Sequence, residues 1–422
     1  MVRRYAPKES RPTSGAEVIG RWLLPEGVDR AVQPLLIGKA LRAFADGYVA
    51  VLLPAYLLAL GFGTLDVGIL STATFLGSAL ATLAVGAWGH RFHHRRLLLC
   101  AALLMLGTGL SFACLSAFWP LLLVAFVGTL NPSSGDVSVF LPLEHARLAE
   151  SSQGTARTAV FARYSLLGAL FAALGALASG VPQLLEATLG VEQLMAFRVM
   201  FVFYGLVGGV VWLLYRRLPA PEHEVEARPP QPLRESRSIV VRLALLFSLD
   251  SFAGGLAINA LMALWFFQRF DLSLLAAGSF FFWAGLLSAV SQLIAPKVAK
   301  RIGLVNTMVF THIPASVCLI VAAFVPSLEL AFALLFVRAL LSQMDVPVRS
   351  AFVMEVVTPA ERAAAASFTA VPRSLASAIS PTIGGAMFAV GWLAAPLVAC
   401  GVLKIIYDLM LWKAFRQHDQ AA

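Results

Sequence analysis

The sequence predicts an all-α membrane protein with twelve transmembrane helices in two six-helix pseudo-repeats. Three observations carry this. The 422-residue chain is 59% hydrophobic and only 13% charged, which leaves a soluble domain of this size too little polar surface. Apolar runs of about 20 residues, each long enough to cross hydrocarbon as a helix, recur from end to end. Residues of the first half reappear in the second at a nearly constant spacing.

The runs fall at 35–60, 66–89, 97–116, 119–147, 156–180, 197–215, 239–268, 274–296, 304–325, 329–356, 363–390 and 393–415. They are too long for barrel strands and lack period-two alternation. The net charge of +9 does not mark a nucleic-acid binder, because of where the charge sits. Arg91, Arg95 and Arg96 follow span 2, Arg216, Arg217, Arg228, Arg234 and Arg237 follow span 6, and Lys297, Lys300 and Arg301 follow span 8. Apart from the residues deep within the spans, only Arg198, at the start of span 6, and Arg269 fall on the opposite side. The positive-inside rule then puts both termini in the cytoplasm and the chain, as a multi-pass protein, in the cell's inner (plasma) membrane. Residues 1–34 are a polar cytoplasmic segment with no cleavable signal pattern. Residues 35–215 form the first six-helix bundle, and the proline-rich stretch 216–238 reads as a cytoplasmic linker. Residues 239–416 form the second bundle and 417–422 a cytoplasmic tail. Cys100, Cys114, Cys318 and Cys400 lack metal or disulfide spacing and read as small packing residues.

The repeat is visible in three pairs of spans. Phe44-Ala45-Asp46-Gly47 matches Phe252-Ala253-Gly254-Gly255, Asp136-Val137-Ser138-Val139 matches Asp345-Val346-Pro347-Val348, and Arg163 matches Arg373. Two related six-helix halves with a site between them are a transporter architecture. On these residues, and on Gly86, Arg91, Arg95 and Arg96 in the loop after span 2, the chain resembles the major facilitator superfamily, a bacterial twelve-helix permease. His90 and His93 replace an Asp and a Gly of that loop signature. The string from Ala376 to Ser380-Pro381-Thr382-Ile383-Gly384-Gly385 is similar to the family's antiporter motif, but lies on span 11 rather than span 5. It points weakly to the drug-exporter branch and to efflux. The resemblance implies a central cavity lined by spans 1, 4, 7 and 10.

Charges inside the spans indicate function, since a charge in hydrocarbon is costly unless paired or facing water. Asp136 with Arg163 and Asp345 with Arg373 recur in both halves at similar inferred depth, and are structural ion-pair candidates; a direct coupling or substrate role is the alternative. Arg42 and Asp46 lie four apart on one helix face, with Asp250 and Gly254 as their repeat counterparts. Asp46 and then Asp250 are the proton-coupling candidates. Arg42, Arg338, Arg349 and Asn259 are substrate-cavity candidates, with internal neutralisation as the competing reading for the arginines. Glu144 with Arg91, Arg95 and Arg96, and Glu355 with Lys297, Lys300 and Arg301, are cytoplasmic gate candidates. Lys404 and Asp408, four apart on span 12, read as neutralising each other. Asn131-Pro132 interrupts span 4 and predicts a kink. No Walker loop, HExxH or GxSxG string occurs, so no enzyme, cofactor or metal site is expected. The sequence reads as a proton-coupled secondary transporter for a small molecule, acting in the lipid bilayer as a monomer. The alternative is an uncoupled facilitator or channel for a small organic solute.

Overall fold

A computed structural model describes residues 32–88, 92–133, 138–150, 154–218, 234–358 and 361–416. Among these the chain is helical, with no strand. The first half contains α1 (Gln33–Ala59), α2 (Thr64–Trp88), α3 (His94–Cys114), α4 (Phe118–Val127), α5 (Phe140–Glu150), α6 (Gly154–Ala178), the short α7 (Val181–Leu189) and α8 (Gln193–Tyr215). The second contains α9 (Arg237–Gly255), α10 (Asn259–Phe270), α11 (Leu274–Ile302), α12 (Leu304–Ala322), α13 (Leu328–Ser342), α14 (Asp345–Val356), α15 (Arg362–Ala389) and α16 (Ala395–Phe415). The twelve expected spans are all present within a few residues, but spans 4, 7 and 10 are each built from two helices.

Each break has a local cause. Gly128 and Pro132 lie between α4 and α5, and proline has no N–H to continue a helix. Gly254-Gly255 ends α9, where short-range bonds from Leu256 N–H to the Ala253 carbonyl and from Ala257 N–H to the Gly254 carbonyl tighten the turn. Pro347, in the first turn of α14, cannot donate to the carbonyl four residues back, and the chain turns at Gln343–Met344. The first two breaks meet: the Ala260 N–H donates to the Pro132 carbonyl at 3.0 Å.

Packing repeats between the halves. α1 lies on α6 as α9 lies on α15, and α3 lies on α8 as α12 lies on α16. The halves meet through α2 against α15 and α6 against α11. The first seam is close enough to require glycine: a Cβ on Gly68 would stand 2.5 Å from the Pro381 carbonyl oxygen, and one on Gly385 3.0 Å from the Gly68 Cα. Thr382 and Thr72 hydroxyls bond beside it at 2.8 Å. At the second seam Gln183 Oε1 accepts the Leu275 N–H at 3.0 Å. Both seams lie toward the α1–α2 turn, away from the chain termini, and close the molecule on that side.

Burial is inverted relative to a soluble protein. Leu245 and Leu293 are 69% and 68% exposed, while Glu144 and Asp408 are 0% exposed. An apolar outside and a polar inside suit a lipid surround. Of the aromatic runs read as packing or lipid-facing, Trp265 and Phe266 are buried and Trp283 is exposed.

Outside the spans, one carboxylate ties the end of the linker to the second half. Glu361, preceding α15, accepts the backbone N–H groups of Arg234, Glu235 and Ser236 at 2.6, 3.0 and 2.9 Å. These bonds favour the ionised form and hold its pKa at about 2, below the ordinary 4.5. A depressed carboxylate stabilises the fold above its unfolded pKa, and that contribution is lost as pH falls through the folded value. The loss in melting temperature caused by Glu361→Ala should therefore be full at neutral pH and shrink between about 4.5 and about 2. Thermal unfolding of both proteins across that range checks this; a pH-independent difference contradicts it.

Candidate functional site

Between the halves lies a cavity of about 640 Å³, within the range that holds a small organic molecule. α1 and α6 form one wall, and α9 to α14 with α16 form the other. Asp46, Asn259, Arg338 and Arg349 line it, together with Lys39, His312, Asp345 and Lys404. Asn259 reaches the wall because it begins α10 immediately after the break at residues 256–258.

Arg42 does not line the cavity. It turns into the first half, 5% exposed, and its Nη2 bonds both oxygens of Glu144 at 2.5 Å. The Tyr164 hydroxyl donates to Glu144 Oε2 at 2.5 Å, and the Tyr215 hydroxyl donates to Oε1. The Arg42 guanidinium also stands 3.9 Å from the Phe140 ring centroid. Glu144 is thus not a helix-end gate residue facing Arg95 and Arg96. Its carboxylate is buried and taken up by Arg42 and the two tyrosines instead. Arg95 instead donates to the Arg216 carbonyl at the end of α8 at 2.6 Å, Arg96 is exposed, and Arg91 lies outside the described residues. In the second half Glu355, Lys297, Lys300 and Arg301 are all exposed. Among the described residues, Glu355 forms no ion pair with any of the three.

The repeated pairs also differ from expectation. Asp136 lies outside the described residues, so its pairing with Arg163 does too. Asp345 is bonded not by Arg373 but by Arg349, one turn along α14. Arg349 Nη1 reaches Asp250 Oδ2 at 3.2 Å, and Lys404 Nζ reaches Asp250 Oδ1 at 2.6 Å. Arg373 Nε donates to the Ser251 hydroxyl at 3.2 Å and lies over Phe247. Lys404 and Asp408 do not neutralise each other directly. His312 stands between them, its Nδ1 3.0 Å from Asp408 Oδ1 and its Nε2 3.4 Å from Lys404 Nζ. A continuous polar chain therefore runs from Asp345 through Arg349, Asp250, Lys404 and His312 to Asp408, joining α14, α9, α16 and α12. Both Asp250 oxygens are engaged by cations, Arg349 on one and Lys404 on the other.

Arg338 on α13 has a different setting. It is half-buried in the cavity wall, and among the described residues no carboxylate stands within ion-pair distance. Reading the sequence alone passed over His312, whose signal was its place in an otherwise apolar span. It also paired Lys404 with Asp408 alone and so missed its bond to Asp250.

The Major Facilitator Superfamily profile matches residues 35–342. A Saccharomyces cerevisiae relative, the uncharacterized membrane protein YJR124C, is 24% identical over 417 residues, covering 90% of this chain and 93% of its own. Among solved structures, a bacterial homologue of the human lysosomal transporter Spinster, inward-facing and occupied, superposes with TM-score 0.73 at 16% identity, covering 91% of this chain and 96% of that one. A bacterial homologue of the iron transporter ferroportin, also inward-facing, gives TM-score 0.71 at 14% identity, covering 90% and 98%.

The pairings rank two arginines that the repeat treats alike. Arg349→Ala leaves two buried carboxylates short of a partner and should destabilise by about 3–5 kcal/mol. Arg373→Ala removes a hydroxyl contact and a ring contact, worth about 1–2 kcal/mol. Detergent-solubilised melting curves of the two variants should show Arg349→Ala clearly lower; the reverse order contradicts the network.

Proposed function

The chain belongs to the Major Facilitator Superfamily, and from that premise we propose that it is a proton-coupled secondary active transporter moving a small solute by alternating access. The observation that carries this is the central cavity, walled by both halves and closed on one side by the two glycine- and hydroxyl-lined seams. The seams involve few side-chain bonds, and the Arg42–Glu144 pair and the chain from Asp345 to Asp408 each lie within one half. Rocking one half against the other opens the seams without separating an ion pair.

The proposed orientation follows the basic loops: Arg95, Arg96, Lys297, Lys300 and Arg301 face the cytoplasm. The closed side is then the outer one and the cavity belongs to an inward-facing state. Export is the proposed direction, from the likeness of the Ala376–Gly385 string to the antiporter motif. The exposed Glu355 and the basic residues Lys297, Lys300 and Arg301 are free to pair when the cytoplasmic side closes. A reporter fused at Gln183 should read as outside the cytoplasm and one at Arg416 as inside; the opposite result reverses the orientation.

Asp46 is the proposed proton carrier. It lies on the cavity wall, while Arg42, one turn away, is committed to Glu144. Uncoupled facilitation is the second reading, favoured by the basic partners held by Asp250, Asp345 and Asp408. Asp46→Asn mimics a protonated carboxyl at nearly constant volume. In proteoliposomes it should abolish gradient-driven accumulation and leave counterflow exchange intact. Accumulation that persists in the Asn variant with normal pH dependence assigns coupling elsewhere; no response to an imposed proton gradient in the parent protein supports the facilitator.

A further inference from the structure

We propose that the solute is a small organic anion, its carboxylate or phosphate group held by Arg338. This rests on the transporter reading above and adds the substrate's charge and the residue that recognises it.

Four basic residues line the cavity: Lys39, Arg338, Arg349 and Lys404. The second-half chain absorbs two of them. Arg349 is held by Asp345 and Asp250, and Lys404 by the other oxygen of Asp250. Lys39 lies seven residues before Asp46 on the same face of α1, beside the Tyr164 ring, so that wall carries one charge of each sign. Arg338 is left without a counter-charge among the described residues. A guanidinium stays protonated under all ordinary conditions, so it cannot escape the cost of burial by becoming neutral. A cation kept half-buried at membrane depth without a carboxylate is balanced when a negatively charged ligand enters. The planar fork of arginine matches the two oxygens of a carboxylate or phosphate.

A second observation points to the same wall. The Ser316 hydroxyl on α12 is buried and has no hydrogen-bond partner, and Ser316 lines the cavity one turn from His312. Buried hydroxyls ordinarily find partners, and a ligand oxygen at this wall supplies one. The rest of the lining mixes Phe280, Phe281 and Leu335 with Ser288, Ser342 and Gln343. That suits a solute with an apolar or hydroxylated body behind its charged group, rather than a bare inorganic ion.

The test uses purified full-length protein with benzoate, succinate and glycerol 3-phosphate as probes, benzamide and glycerol as neutral matches, and benzyltrimethylammonium as the cation. Thermal-shift titration to about 10 mM, the scale of weak solute binding, should show stabilisation by at least one anion and not by its neutral match. Arg338→Gln should weaken that binding about ten- to a hundredfold, and Arg338→Lys should restore part of it. A melting curve of each variant without ligand separates lost binding from lost folding; if Arg338→Gln does not fold, Ser316→Ala should still weaken the same anion in a folded protein. Absence of stabilisation by every anion, preference for the cation, or anion binding unchanged in Arg338→Gln overturns the proposal. Proteoliposome counterflow keeps the two readings apart. Exchange of a neutral or cationic solute insensitive to Arg338→Gln leaves the transporter and removes the anion. Anion binding without exchange of any probe leaves the site and removes the transporter.

Discussion

A charge held at membrane depth needs its counter-charge beside it, and that requirement organises this molecule. In the first half Arg42 and Glu144, with the hydroxyls of Tyr164 and Tyr215, form one closed set that draws together α1, α5, α6 and α8. In the second half the chain from Asp345 to Asp408 draws together α9, α12, α14 and α16. Neither set crosses to the other half. Each bundle is bound internally by interactions strong in a low dielectric, while the bundles touch each other through small residues. The two buried charge sets thus tie helices together within each half, and the halves meet through α2 on α15 and α6 on α11.

The spans were legible because length and apolarity alone decide whether a helix can cross hydrocarbon, and every expected span is present. The repeat was legible from Asp136 and Asp345, and from Arg163 and Arg373, at corresponding places. Partner choice was not. Asp345 is bonded by Arg349, four residues along the same helix, rather than by Arg373 on α15, which the repeat had suggested. Glu144 was assigned the wrong partners for a related reason: Arg42 lies 102 residues away on α1, and no local spacing joins the two. The link from Lys404 to Asp408 through His312 joins α16 to α12, nearly a hundred residues apart in the chain, and no local periodicity encodes it.

The breaks in spans 4, 7 and 10 build the cavity. A continuous helix presents only side chains to its neighbours, whereas an interrupted one brings backbone and helix-start residues to the centre. Asn259 enters the wall as the first residue of α10. Arg338 and Asp345 enter it from either side of the turn between α13 and α14. The polarity of the centre thus has a conformational origin as well as a compositional one.

The hydrogen bond from Ala260 to Pro132 has a consequence of its own. The first N–H groups of a helix have no acceptor within that helix, and Ala260 is the second residue of α10. Its hydrogen-bond acceptor is therefore supplied by the opposite half. Hydrogen–deuterium exchange at this one amide measures how often the halves part at the midplane, and converts the opening of the molecule into a rate that can be followed without any ligand, label or flux.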